Sequence, residues 1–206
     1  MTDKAHAIAR RKIRMGIRRA KFALPGHLPA FLALTDPVRT PDPVGLARAL
    51  PAHSGLIYRH FGAEDRYEIA RALAQIANRR SLALLIGNDP ELARAVRADG
   101  VHWAETNRED ARRWRNRFSL MTCAAHSRAA LGRVSLALCD AALFSTVFAS
   151  SSPSASSPMG GLHFRKMVRC ANVPVYGLGG VTADTIGQIT HVGGAAAIDG
   201  AQVFMK

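Results

Sequence analysis

The sequence predicts an α/β fold, a compact (β/α)₈ TIM barrel with a shortened or missing last helix. Three observations carry that expectation. Past Pro29, eight apolar runs alternate with seven stretches of helical spacing, and strict alternation builds a parallel sheet that closes on itself. Most of the runs are continuously apolar, as strands covered on both faces are. After the eighth run only residues 200–206 remain, too few for a full closing helix.

Residues 31–36 form the first run, ending on Thr35-Asp36, and 44–50 have helical spacing. The second run, 55–59, ends on Arg59; the helix after it, 64–78, sets Ile69, Leu73, Ile76 and Ala77 on one face. Run 82–87 is followed by an Asn88-Asp89 cap and a helix over 90–97. Strands are expected at 101–104, 120–125 and 141–148, separated by helices at 108–118 and 128–138. A Ser/Pro-rich loop fills 149–161, and a helix follows at 162–171. Strand 173–178 ends at Gly179-Gly180, a helix capped by Thr182 spans 182–192, and 195–199 is the last strand.

The 206 residues suit one domain, and 48% hydrophobic content argues against disorder. The net charge is +13, and residues 1–28 hold +7 of it, with eight Lys or Arg against Asp3 alone. The chain therefore divides into a basic N-terminal arm, 1–28, and a barrel, 29–206. The arm reads as a solvated terminal helix that the barrel folds without. Two other readings stay open: the arm covers the gap left by the last helix, or a partner chain of a homo-oligomer does. No run approaches the ~18 apolar residues of a membrane span, and the charge outside the arm is too modest for a nucleic-acid binder. Neither membrane nor nucleic acid is an expected partner. Cys123, Cys139 and Cys170 lack metal-ligand spacing and make an odd number, which suggests buried thiols in a cytoplasmic protein.

Barrel chemistry sits at the C-terminal ends of strands. The polar residues there are Asp36, Arg59, Asn88, Asp89, Glu105, His126, Ser150, Ser152, Gly179-Gly180 and Asp199.

The segments "FLALTD", "LLIGNDPELARAVRADGVHWAE", "AAHS" and "VPVYGLGGVTADTIGQITHVGGAAAIDGA", in that order, resemble the thiamine phosphate synthase/TenI family. The resemblance implies a small barrel handling phosphorylated thiazole and pyrimidine molecules in thiamine biosynthesis. The synthase joins hydroxymethylpyrimidine diphosphate to thiazole phosphate and needs a Mg²⁺ cradle plus an anion pocket. The sister activity, thiazole tautomerisation, needs the pocket and a general acid/base.

Carried over residue by residue, the resemblance implies that Arg59 of "IYRHF" clamps diphosphate, with Ile57 and Phe61 standing where the family has Gln and Lys. Asn88 would meet the pyrimidine diphosphate and Asp89 would hold Mg²⁺; the local alternative is that Asp89 only caps its helix. In "GVHWAETN", Asn107 replaces the second metal carboxylate, Glu105 replaces Gln, and His102 reads as a packed histidine. In "AAHS", Ala124 replaces the synthase serine, whereas His126 is kept as the candidate proton shuttle; the alternative is a helix cap. In "ASSSP", Ser150 and Ser152 keep hydroxyls but Pro153 replaces lysine. Gly179, Gly180 and the Ile198 amide would hold thiazole phosphate, with Asp199 opposing it by charge. The expectation is a synthase-like protein with degenerate motifs that binds Mg²⁺ weakly or not at all. The alternatives are a tautomerase using His126 and a non-catalytic ligand-binding paralogue.

Overall fold

The computed structural model describes residues 3–150 and 157–205. Eight parallel strands close a barrel in sequence order: β1 Phe31–Leu34, β2 Gly55–Tyr58, β3 Ala83–Gly87, β4 Gly100–Trp103, β5 Leu120–Ala125, β6 Ala141–Ser145, β7 Val175–Leu178 and β8 Gly194–Ala197. Closure is by β1 against β8, with Leu32 beside Ala196.

Side chains alternate across a strand, and the two faces form separate cores. Leu32, Leu34, Ile57, Leu85, Leu143, Tyr176 and Ala196 pack inside the barrel. Phe31, Leu56, Leu84, Val101, Met121, Phe144 and Val175 pack outward beneath the connecting segments. Burial on both faces explains the continuous apolar runs. The interior is narrow at its base: Tyr176 donates its hydroxyl to Pro29 O at 2.6 Å, and a Cβ on Gly194 would meet its ring at 2.2 Å.

The helices are α1 Asp3–Ala23, α2 Pro43–Ala49, α3 Arg66–Arg80, α4 Pro90–Ala95, α5 Ala111–Trp114, α6 Arg128–Gly132 and α7 Gly160–Val168. Several are shorter than the spacing predicts. In place of the helix expected at 108–118 there are a 3₁₀ stretch, Glu105–Asp110, and the single turn of α5, Ala111–Trp114. The helix expected at 182–192 is only a 3₁₀ turn, Ile186–Gln188. The threonines there bond the local backbone instead of starting a helix: Thr182 Oγ1 accepts from Asp184 N–H at 3.3 Å, and Thr185 Oγ1 donates to Gly180 O at 2.8 Å. The chain ends in a 3₁₀ segment, Asp199–Phe204, the shortened last helix.

Helix α1 fills the flank that these short segments leave open. Its residues Ile13, Gly16, Ile17 and Ala20 are buried, and Ile13, Ile17 and Ala20 belong to the outer core with Ile186, Ala195 and Ala201. A Cβ on Gly16 would stand 2.7 Å from Ile186, so glycine permits the close approach. The basic segment is thus packed on the barrel along one face and not solvated all round. Removing 1–24 would uncover several apolar side chains, each contributing about 1.5–3 kcal/mol when large.

Cys123 and Cys139 are joined in a disulfide with Cα atoms 6.2 Å apart, which corrects the expectation of thiols at those positions. Cys123 lies on β5 and Cys139 two residues before the paired strand β6, a proximity that sequence spacing does not show. Cys170 is free and exposed.

Candidate active site at the barrel mouth

Strand alternation decides which polar side chains meet. An inward row, extended by two residues past its last apolar member, reaches the mouth, and four of the five rows that line the pocket place a polar side chain there. Leu34 leads to Asp36, Ile57 to Arg59 and Ala124 to His126. Leu143 leads to Ser145, and Ala196 to Ile198. These five residues line a pocket of about 490 Å³, together with Arg39, Ser150, Gly179, Gly180 and Asp199.

Asp36 organises one wall. Its Oδ1 accepts from Val38 N–H at 3.1 Å and Arg39 N–H at 3.0 Å, an Asx turn that aims Arg39 back over the pocket. Its Oδ2 accepts from Arg39 Nη2 at 3.1 Å. Burial alone would raise the Asp36 pKa, but the bonds and charge of Arg39 win and hold it below the ordinary 3.8. Arg39 also lies 3.6 Å from Asp199, and Arg59 lies 4.0 Å from Asp36. Arg59 is pinned by its own N–H on Thr35 Oγ1 at 2.9 Å and its Nε on Thr35 O at 3.1 Å. Burial lowers its pKa and the Asp36 charge opposes that; a guanidinium stays protonated throughout. The wall therefore sets two guanidiniums against two carboxylates. Arg39 has no counterpart in the sequence expectations; its signal is an Asp three residues before an Arg directly after a strand.

His126 stands across the pocket. Its Nδ1 lies 2.9 Å from Ser145 Oγ, and its N–H donates to Glu105 Oε2 at 2.8 Å. Helix α6 is capped by Ser127, whose Oγ accepts from Ala130 N–H at 3.0 Å. The imidazole is therefore not used as the cap. Ser145, also absent from the sequence expectations, could have been found by counting inward positions along β6.

The glycine pair forms the third wall. Gly179 and Gly180 have φ of +91° and +62°, and a Cβ on Gly180 would stand 2.3 Å from Ala149 O. Only glycine suits both constraints. Thr182 does not cap a helix here; its N–H donates to Thr185 Oγ1 at 2.9 Å. Ile198 and Asp199 both reach the pocket. Ser152 and Pro153 lie outside the described residues.

Asn88 and Asp89 are placed differently. Leu84 and Ile86 point outward, and Asn88 follows that parity. Its φ is +52°, its N–H donates to His102 O at 2.7 Å, and its Oδ1 accepts from Ala104 N–H at 3.4 Å. It ties β3 to β4 and is not among the pocket-lining residues. Asp89 caps α4 through Leu92 N–H at 2.9 Å, while its other oxygen pairs with Arg66. Arg66 also donates to Gly87 O at 3.3 Å and lies 5.6 Å over the Phe61 ring. Sequence reading missed Arg66 because its partner lies on another strand's exit.

These contacts decide the fit of a divalent metal. Mg²⁺ demands hard oxygen donors in near-octahedral array. Asp89 gives one oxygen to a guanidinium and the other to a backbone amide, and Asn107 offers no carboxylate. Among the described residues no three His, Cys, Asp or Glu converge. The residues present do not fit the metal that the resemblance implies.

His102 points into the barrel, where its Nδ1 lies 2.9 Å from Thr122 Oγ1. Burial, with the Arg59 and His126 charges, pushes its pKa down to about 3. It is a neutral packed imidazole beneath the mouth.

The sequence profile of the thiamine monophosphate synthase family (TMP-TENI) matches residues 46–201. "Putative thiamine-phosphate synthase 2" of Aquifex aeolicus is 28% identical over 144 residues, covering 69% of this chain and 76% of that protein. The thiamine-phosphate synthase of Lactococcus lactis subsp. lactis is 25% identical over 142 residues, 68% of this chain and 65% of its own length. The match thus spans just under two thirds of the Lactococcus protein. A solved structure, thiamine phosphate pyrophosphorylase from Pyrococcus furiosus, superposes with a TM-score of 0.69 at 20% identity, covering 86% of this chain and 92% of that one. At that identity the likeness establishes the barrel.

Proposed function

The chain belongs to the thiamine monophosphate synthase family, and from that premise we propose that it serves thiamine biosynthesis, binding a phosphorylated thiazole in the mouth pocket and moving a proton on it with His126. The observation that carries this reading is the His126–Ser145 pair, 2.9 Å apart, facing the same pocket as Arg59 and the Gly179-Gly180 turn.

The phosphoryl group would lie against the Gly179 and Gly180 backbone, where no Cβ intervenes, with the Arg39 and Arg59 guanidiniums on its other side. Ser145 sets which imidazole nitrogen carries the proton and leaves the other to face the thiazole ring. His126 takes a proton from one ring atom and returns it to its neighbour, a cycle that imidazole supports near neutral pH. Asp199 weakens phosphate affinity by charge.

A second reading, coupling of pyrimidine diphosphate to thiazole phosphate, is favoured by Arg59, whose half-buried guanidinium suits a diphosphate. It lacks a metal cradle, since Asp89 is committed to Arg66.

Calorimetry with thiazole phosphate, followed by NMR detection of thiazole proton exchange with deuterated solvent, tests the proposal. Binding and exchange that persist in chelator are expected. Mg²⁺-dependent coupling that survives His126→Asn would favour the synthase reading. Ligand binding without either reaction would leave a non-catalytic barrel.

A further inference from the structure

Helix α1 is amphipathic twice over. Its inner face, with Ile13, Ile17 and Ala20, is buried against the barrel. Its outer face carries a second apolar line. Ile8, Met15 and Phe22 recur every seven residues, two helical turns apart, and are 49%, 46% and 94% exposed. Folding into the barrel therefore leaves this line uncovered.

Charge surrounds the line. Arg11 and Arg18 share its heptad spacing on one side, with Arg14 and Lys21 beyond them; Arg19 borders it on the other side. All five are exposed. Among the described residues, the one ion pair made by α1 joins Lys12 to Asp184 at 2.6 Å. Among the described residues, none of the arginines on this face is paired with a carboxylate.

We propose that the outer face of α1 docks on the surface of an anionic lipid bilayer, with Ile8, Met15 and Phe22 entering the headgroup boundary and the flanking arginines meeting lipid phosphates. The pattern suits that partner for two reasons. An apolar line inside a cationic face is the arrangement of helices that lie in a membrane interface, and juxtaposed Lys and Arg are drawn to anionic headgroups. A second copy of the chain fits poorly, because packing two such faces together would oppose rows of arginine. A nucleic acid would use the charge and leave a bare Phe22 without a role. No described helix is long and apolar enough to cross the bilayer, so the contact is peripheral. It makes no use of the mouth pocket, and its failure leaves the proposed function untouched.

The test is co-sedimentation of the full chain with vesicles of phosphatidylcholine alone or with about 30% phosphatidylglycerol. Binding to the anionic vesicles is expected to be at least tenfold tighter and to fall with added salt. Met15→Ser with Phe22→Ser keeps the charge and removes the apolar line; Arg11→Gln with Arg14→Gln and Arg18→Gln does the reverse. Each set should weaken vesicle binding tenfold or more. Because these side chains are exposed, circular dichroism and melting temperature should not move. Phe22→Ser alone, the mildest change, should still show a measurable loss. Equal binding to neutral and anionic vesicles, or no binding, overturns the proposal. So does retention of an oligonucleotide with no loss from the serine variants, which would make the face a nucleic-acid surface. A concentration-dependent dimer abolished by those variants would assign it to a second copy.

Discussion

The two sides of the barrel mouth are built differently. Around β5 to β8 the mouth is open, lined by His126, Ser145, the glycine pair and Ile198. Around β3 and β4 the corresponding space is occupied by the protein's own groups. Arg66 lies on Asp89 and over Phe61, and Asn88 is turned into the β3–β4 junction. Both halves present polar residues at strand ends, yet only one leaves them facing a cavity. Residue identity at a strand end does not define a site. A carboxylate already satisfied by an arginine and a backbone amide has little left to offer a ligand.

The contrast can be broken most severely on the open side. Gly180→Ala places a Cβ against Ala149 O at a positive φ. It should cost about 3 kcal/mol or more in urea unfolding and abolish ligand binding in calorimetry. A variant of normal stability would mean that the turn relaxes freely and that glycine is not required there.

Next in size is a pH effect beneath the mouth. The His102 pKa is about 3 in the folded chain and near 6.5 when unfolded. Because the folded value is depressed, its contribution is present above pH 6.5 and is lost as pH falls towards 3. The loss should reach about 2 kcal/mol between pH 7 and pH 5. His102→Gln keeps a polar group beside Thr122 and should flatten that slope in denaturant titrations. An unchanged slope would move the origin of acid sensitivity elsewhere.

The filled half gives a smaller effect. The side chains of Arg66 and Asp89 are 17% and 29% exposed, so Arg66→Ala should cost about 1–2 kcal/mol, below the 3–5 expected of a fully buried pair. A double-mutant cycle with Asp89→Ala should recover part of that loss. Full additivity would mean that the pair does not couple. The smallest effect is on charge balance at the open wall. Asp199→Asn removes one of two carboxylates facing Arg39 and Arg59, and should tighten thiazole-phosphate binding roughly three- to fivefold, about 1 kcal/mol. Weaker binding would show that Asp199 positions Arg39 more than it repels phosphate.

What the sequence revealed follows its physics. The barrel was legible because parallel strands buried on both faces leave continuous apolar runs. The inward members of the site, Arg59 and His126, were legible as strand ends. Asn88 sits at the strand end as read, but its bonds to His102 and Ala104 depend on the neighbouring strand and were not legible. Arg39, Arg66 and the Cys123–Cys139 bond were not read because each depends on a partner brought near by the fold. The 182–192 segment reads as a helix by spacing, but its threonines spend their hydroxyls on the local backbone. Ile13 and Ile17 carried the sign that α1 docks, and its charge obscured it.

The central claim is that the open half works alone, through His126 and without a metal. Its most direct test measures thiazole-phosphate affinity and solvent-proton exchange together, in chelator, for the unmodified chain and for His126→Asn. The account predicts that the substitution lowers exchange at least ~100-fold while affinity changes less than about threefold, because the phosphate contacts belong to other residues. Exchange or coupling that vanishes in chelator yet survives His126→Asn would contradict it.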